Sequence, residues 1–387
     1  MSSSANSRIA FIQGDNHPTH TTVSNQLRLL FPESEIATFN VRQLLRDHPG
    51  FVLANLLQTI RVYGIGRLIR RRDPVDCFIQ TPAAFAFIKK LLGARINAAE
   101  FDFSFQTYSM WDGSVPGLPH FVYADNTELG TLGYPGYNRS HLIGPWWTKL
   151  ETSIYHNAAV VFTMGANVAR VLVDQYGCPG QKVRCVGVGC NAPMPERWNN
   201  DLGRYRQKII LFVGTVWKNK GGPELVSAFR RVLENHPTAH LRIVGCGVNP
   251  HVRNCHVLGR IALDSVRREY ENASLFCLPT WRESFGISYI EAMSAGLPVV
   301  GSDFGAIPDF IINGENGFRV RPGDVEGLAR VLSQLLDDPQ KMQAFGDASA
   351  RRARRNYTWE IVGHKIKAAI VEILASRGHA DRARLPS

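Results

Sequence analysis

Ser274-Leu275-Phe276-Cys277-Leu278-Pro279, followed shortly by Glu283-Ser284-Phe285-Gly286-Ile287-Ser288-Tyr289-Ile290-Glu291, decides how this chain is read. The first run is apolar, has the length of a strand, and ends at a proline that cannot donate to a central ladder. Residues 287–295 read as a helix, with Gly296 at its C-terminal end and Pro298 beyond. Pro298-Val299-Val300-Gly301 reads as the next buried strand. Strand, loop, helix, strand is the repeat of an open parallel sheet, where ligands gather at the carboxyl ends of strands beside helix N-termini. Gly286 has no Cβ, so backbone can come close to an anion there. The first free amides of the helix, around Gly286 to Ser288, carry the partial positive charge that suits a diphosphate. Glu291 lies about one and a half turns further in. A carboxylate accepts but cannot donate, so its natural partner is a pair of sugar or ribose hydroxyls. Glu283, on the other side of the diphosphate position, can accept from a second sugar. Two glutamates at this separation, taken alone, are more often a loop residue and a helix-surface residue.

Their surroundings reverse that judgement. Glu283, seven residues, Glu291, within PTWRESFGISYIEAMSAGLPVVGSDFGAIPDFIINGENGFRVRPGD (residues 279–324), resembles the donor-site signature of retaining glycosyltransferases of the GT-B fold, family 4. Residues 257–328 follow that pattern. The resemblance implies an α/β protein with two Rossmann-like doubly wound domains facing across a cleft. It assigns residues 1–192 to an acceptor-binding domain, 193–207 to a linker, 208–358 to a nucleotide-sugar domain, and 359–387 to a helix crossing back plus a basic tail. It implies transfer of a hexosyl group from a nucleoside-diphosphate sugar to a glycan, lipid or small-molecule acceptor. The nucleotide sugar is a co-substrate and no cofactor is implied. By the resemblance, Glu283 binds the donor sugar and Glu291 the nucleotide ribose.

The 387 residues suffice for two domains, and 44% apolar against 20% charged residues allows each a real core. A formal charge of +11 implies an anionic partner: a nucleotide sugar, an acidic membrane or nucleic acid. Seven scattered cysteines without a Cys-x-x-Cys read as reduced thiols of a cytoplasmic protein. No stretch reaches the roughly 18 apolar residues that span a bilayer, so any membrane contact is expected to be peripheral. No Asp-x-Asp occurs, so a metal-held diphosphate is not expected.

From the N-terminus, a polar start precedes a strand at residues 8–13, then the loop Gly14-Asp15-Asn16-His17-Pro18 and a helix at 23–31 capped by Thr21 or Thr22. The resembled family has a glycine-rich turn here facing acceptor and donor phosphate; this chain keeps only Gly14. His17 and His20 lack a third ligand and read as polar loop residues. Residues 41–46 and 51–72 carry helical periodicity. The second ends Arg67-Leu68-Ile69-Arg70-Arg71-Arg72, either a solvated helix end or a surface for anionic lipid. Residues 74–80 read as a strand, 82–93 as a helix, and 101–106 as a strand by alternation. The strand Phe121-Val122-Tyr123-Ala124 leads into Asp125-Asn126-Thr127-Glu128, where a site is expected. Some family members look like Tyr-x-Asp-x-Thr, which Tyr123, Asp125 and Thr127 match. Asp125 then holds an acceptor hydroxyl or stabilises charge on the reacting sugar, unless it simply caps a turn. The aromatic-rich stretch Tyr134 to Trp147 lines an acceptor groove or packs a crossover.

The second half restarts with the strand Lys208 to Gly214, then Thr215-Val216-Trp217-Lys218-Asn219-Lys220-Gly221-Gly222. The family shows Gly-Arg, a short loop, then Lys-Gly. Lys220 and Gly221 match the latter, and Thr215 stands in place of the arginine, whose phosphate contact is either missing or supplied by Lys218. The expected catalytic set is Asp125, Lys220 and Glu283. Gly14, Lys218, Lys220, Glu283, Phe285, Gly286, Ile287 and Glu291 form the expected donor site. Two rivals remain open: a nucleotide-sugar epimerase of the same fold, and a non-catalytic basic protein binding sugar nucleotide or nucleic acid. Basic and aromatic residues do not interleave on one strand as a nucleic-acid stacking platform requires.

Overall fold

The computed structural model describes residues 7–15, 18–70 and 74–382. Asn16, His17, Arg71, Arg72, the first six residues and the last five lie outside the described residues. The chain divides into two units. Unit 1 holds the chain to Leu132, Tyr137–Val186, and the chain from Gly363; unit 2 holds Gly133–Gly136 and Gly187–Val362.

Unit 1 runs β1 (Arg8–Gln13), α1 (Pro18–Leu30), β2 (Glu35–Asn40), α2 (Val41–Arg46), α3 (Pro49–Arg70), α4 (Pro74–Ile79), α5 (Pro82–Arg95), β3 (Phe103–Thr107), β4 (His120–Ala124), α6 (Pro145–Asn157), β5 (Val160–Thr163), α7 (Ala166–Asp174) and β6 (Val183–Cys185). Its sheet is wholly parallel, in the order β2-β1-β3-β4-β5-β6. β3, β4 and β5 are buried at every position, so even the alternating Ser104 and Gln106 of β3 lie inside. Helix starts follow side-chain chemistry: Asn40 accepts the Gln43 amide at 3.0 Å, and Thr81 accepts the Ala84 amide at 3.0 Å with Pro82 next. His120, the first residue of β4, is buried and bonded to Ser104 Oγ at 2.8 Å; burial pushes its pKa down to about 4 and keeps it neutral.

Unit 2 runs α8 (Leu202–Arg206), β7 (Ile209–Val213), α9 (Gly222–Asn235), β8 (His240–Val244), β9 (Cys255–Gly259), α10 (Leu263–Asn272), β10 (Leu275–Leu278), α11 (Ile287–Ser294), β11 (Val299–Ser302), α12 (Ile307–Phe310), β12 (Gly317–Val320), α13 (Val325–Asp337) and α14 (Pro339–Asn356). Its parallel sheet has the order β12-β11-β10-β7-β8-β9. The order reverses between β7 and β10, the position where open sheets bind ligands. The last helix, α15 (Trp359–Arg382), starts in unit 2, and its residues from Gly363 belong to unit 1.

Three expectations are corrected. Residues 74–79 form α4, not a strand: Pro74 opens the helix, Asp76 favours its first turn, and Cys77 and Ile79 are its buried positions. α1 begins at Pro18, ahead of Thr21 and Thr22, so neither threonine caps it. The stretch expected as a basic tail continues α15 as helix to Arg382.

Candidate active site

β7 and β10 are neighbours in the unit 2 sheet, and each feeds a loop that opens a helix. Both helices start at a left-handed glycine: Gly221 (φ 73°) before α9, and Gly286 (φ 67°) before α11. A Cβ on Gly221 would lie 1.9 Å from the Pro279 carbonyl oxygen, and one on Gly286 would lie 2.4 Å from the Phe310 ring. Both positions require glycine on conformation and on space. The loops are tied together: the Trp281 amide donates to the Asn219 carbonyl at 2.7 Å, and the Thr280 hydroxyl lies 2.9 Å from the same oxygen. Beneath them the Ser302 hydroxyl donates to the Thr280 carbonyl at 2.7 Å.

This frame brings Lys220, Glu283 and Gly286 together. Lys220 Nζ donates to Glu283 Oε2 at 2.8 Å, and Glu283 Oε1 accepts the Gly286 amide at 3.1 Å. Glu283 is buried, whereas the Lys220 side chain retains 24% exposure. The expectation of a Gly286 amide left open for an anion is corrected, because Glu283 takes it. The following amides, of Ile287 and Ser288, are helix-start donors without an intrahelical acceptor. Phe285 and Ile287 are half-buried, and Lys218 and Thr215 are exposed.

Glu291 faces a different environment on the same helix. It lines a cavity of ≈ 290 Å³ together with Tyr270, Arg267, Leu263, Asn191 and Pro193. The Tyr270 hydroxyl lies 3.2 Å from Glu291 Oε2 and 3.3 Å from the Ser288 carbonyl oxygen. Burial raises the pKa of Glu291, and the Tyr270 hydrogen bond partly offsets this. Tyr270 was not singled out in the sequence, since one tyrosine on an amphipathic helix has no distinguishing signal.

Arg204 was also missed, inside the polar stretch read as linker. It is buried, and its guanidinium donates to the carbonyls of Ala273 (2.7 Å), Asn199 (2.7 Å), Ala295 (2.8 Å) and Tyr270 (2.5 Å). Those bonds hold the C-terminal ends of α10 and α11, and so the helices that carry Tyr270 and Glu291.

Gly14 and Asp125 belong to unit 1. A Cβ on Gly14 would lie 2.9 Å from the Trp111 indole, and its carbonyl accepts the Arg42 amide at 3.2 Å. This glycine makes room for packing. Asp125 follows β4, and burial pushes its pKa up to about 6 against the opposing pull of backbone amides. Tyr108, after β3, adopts a left-handed backbone (φ 68°), a strained conformation for an aromatic residue. Burial, with the charges of Asp125 and Asp15, pushes its hydroxyl pKa up. Nothing in the sequence marks a positive φ at a tyrosine.

Comparison with known proteins gives a consistent picture. Residues 207–338 match the family described as glycosyl transferases group 1. The D-inositol 3-phosphate glycosyltransferase of Corynebacterium aurimucosum is 28% identical over 235 residues, 54% of this chain and 56% of that protein. The chain thus spans little more than half the length of this curated relative. Sucrose-phosphate synthase from Thermosynechococcus elongatus superposes with a TM-score of 0.68 at 16% identity, covering 96% of this chain and 100% of that one. Anabaena Alr3699/HepE, solved in complex with UDP, superposes with a TM-score of 0.63 at 14% identity, covering 95% of this chain and 100% of that one. By matched segment, residues 207–338 are similar to the group 1 glycosyltransferases, and the chain has the two-sheet α/β fold of the GT-B structures it superposes on.

Proposed function

We propose that this chain transfers a hexosyl group, with retention of configuration, from a nucleoside-diphosphate sugar to a glycan, lipid or small-molecule acceptor. The observation that carries the reading is the Lys220–Glu283–Gly286 cluster at the front of two glycine-opened helices, with Glu291 in the adjoining cavity. A diphosphate arriving there competes with Glu283 for the Lys220 ammonium and meets the amides of Ile287 and Ser288. As the glycosidic C–O bond of the donor breaks, charge grows on the leaving phosphate oxygen, where the ammonium and helix front stabilise it. Glu283, released from Lys220, accepts from donor-sugar hydroxyls. Glu291 takes the ribose hydroxyls in a cavity whose volume lies near the lower end of small-ligand sites. Asp125 is assigned to the reacting carbons and acceptor.

Retention rests on the family resemblance. None of the seven cysteines is held in a disulfide, which supports a reducing, cytoplasmic setting. Among the described residues no helix is long and apolar enough to cross a membrane. A thermal-shift screen of UDP-, GDP- and ADP-sugars tests donor binding, since a ligand held only by the native state raises its melting point. Turnover with and without acceptor then separates transfer from isomerisation. No shift with any nucleotide sugar contradicts the reading, and isomerisation without acceptor replaces it with an epimerase.

A further inference from the structure

We propose that the outward face of α3 docks this chain on an anionic phospholipid bilayer. α3 carries apolar residues on both faces. Its inward side holds the buried Asn55, Thr59 and Tyr63, one turn apart, beside the partly buried Phe51 and Val62 that pack on the core. The polar groups of the first three are satisfied within unit 1. Asn55 Nδ2 donates to the Phe78 carbonyl at 2.7 Å, and Asn55 Oδ1 accepts the Thr81 hydroxyl at 2.6 Å. The Thr59 hydroxyl donates to the Asn55 carbonyl at 2.7 Å, and the Tyr63 hydroxyl to the Gln80 carbonyl at 2.7 Å.

The outward positions are Leu53, Leu56, Leu57 and Ile60, spaced i, i+3, i+4 and i+7 on one face. Leu53 is 69% exposed, Leu57 70%, Leu56 48% and Ile60 46%. Beyond the break at Gly64 (φ 71°), Ile65 is 63% exposed. A surface helix of a water-soluble unit keeps its outward face polar. A contiguous exposed apolar face of this kind marks an interaction site.

Charge selects the occupant. Pro49–Arg70 contains Arg61, Arg67 and Arg70 and not one Asp or Glu. Arg61 is exposed and directly follows Ile60. An acid-free helix with a leucine face and arginines is built to lie in a bilayer interface. The apolar side chains enter the acyl boundary, and the Arg61 guanidinium stays with lipid phosphates. Pairing of two copies of this chain through the same face would set arginine near arginine and gains nothing from charge.

Co-sedimentation of the full chain with phosphatidylcholine vesicles, with or without phosphatidylglycerol, tests the proposal. Binding to the anionic vesicles is expected to exceed binding to phosphatidylcholine by about tenfold or more, and to weaken with added salt. The double variant Leu53→Gln, Leu57→Gln is expected to lose vesicle affinity by about tenfold or more. Its melting temperature should stay unchanged, because both side chains already face solvent. Arg61→Gln should weaken binding to anionic vesicles only. Lack of binding to anionic vesicles overturns the proposal, as does binding that the double variant leaves intact. A dimer in solution that the double variant dissociates also overturns it, in favour of a second copy. The readout is lipid binding, so failure of the transferase reading leaves this inference standing.

Discussion

The Lys220 ammonium lies 2.8 Å from Glu283 Oε2, while the other oxygen of the same carboxylate accepts the Gly286 amide at 3.1 Å. One acidic side chain therefore occupies both the cation and an amide that an incoming diphosphate would need. Two variants separate the partners. Lys220→Gln removes a charge-assisted contact of about 1.5–3 kcal/mol and should weaken nucleoside-diphosphate binding about 10- to 100-fold. Glu283→Gln frees Lys220, so diphosphate affinity should hold or rise while transfer falls by about 10²-fold. Isothermal titration and turnover measure the two effects. Equal losses of affinity in both variants would contradict the division of roles.

Asp125 gives a pH signature. Burial pushes it up to about 6, so the carboxylate form is lost as pH falls through that value. Transfer that depends on the ionised group should decline on the acid side of about pH 6. Asp125→Asn should be slow and lack that inflection. An inflection that persists in Asp125→Asn would assign it elsewhere.

Glu151 is buried in unit 1, where Tyr155 donates to it at 2.9 Å, the Glu128 amide lies 3.0 and 3.2 Å from its two oxygens, and Tyr176 donates as well. Burial dominates and pushes its pKa from 4.5 to about 7. Between those values the native state holds a proton that the unfolded chain has released, so stability falls as pH rises. At about 1.4 kcal/mol per pKa unit, the loss is of the order of a few kcal/mol. Denaturation of wild type and Glu151→Gln at pH 5 and pH 8 should show wild type losing more stability than the variant. Identical pH dependence would place the titration outside Glu151.

Arg204 supports two site helices from a stretch that reads as linker. Arg204→Ala leaves four carbonyls, three of them in buried contacts, to find other donors. It should cost about 3 kcal/mol or more and lower nucleotide affinity through Tyr270 and Glu291. Arg204→Lys, which cannot reproduce the fork, should recover only part. Denaturation and ligand titration report both effects, and full stability in Arg204→Ala would contradict the assignment.

The contrast between Arg204 and Gly286 shows what a sequence carries. Residues 274–301 announced a strand, loop, helix and strand because apolar runs, Gly286, Gly296 and Pro298 act locally, and the structure has β10, α11 and β11 there. Arg204 acts through carbonyls 66–91 residues away, which no local pattern encodes. Residues 74–79 misled because six residues with mixed polarity fit a strand as well as one helical turn and a half. Helical periodicity located α3, but its leucine-rich side would ordinarily be assigned to the core. Partners distant in sequence, the carbonyls of Phe78 and Gln80 and the Thr81 hydroxyl among them, make Asn55 and Tyr63 part of the inward side. The pairing of Lys220 with Glu283 was equally out of reach, since 63 residues separate them.

The most direct measurement is the thermal shift of wild type and Glu291→Ala across UDP-, GDP- and ADP-sugars. The account predicts that at least one nucleotide sugar raises the melting temperature of wild type, and that Glu291→Ala abolishes the rise while keeping its own unliganded melt. A shift of the same size in Glu291→Ala, or none in wild type, would contradict a nucleotide-sugar site at the front of α11.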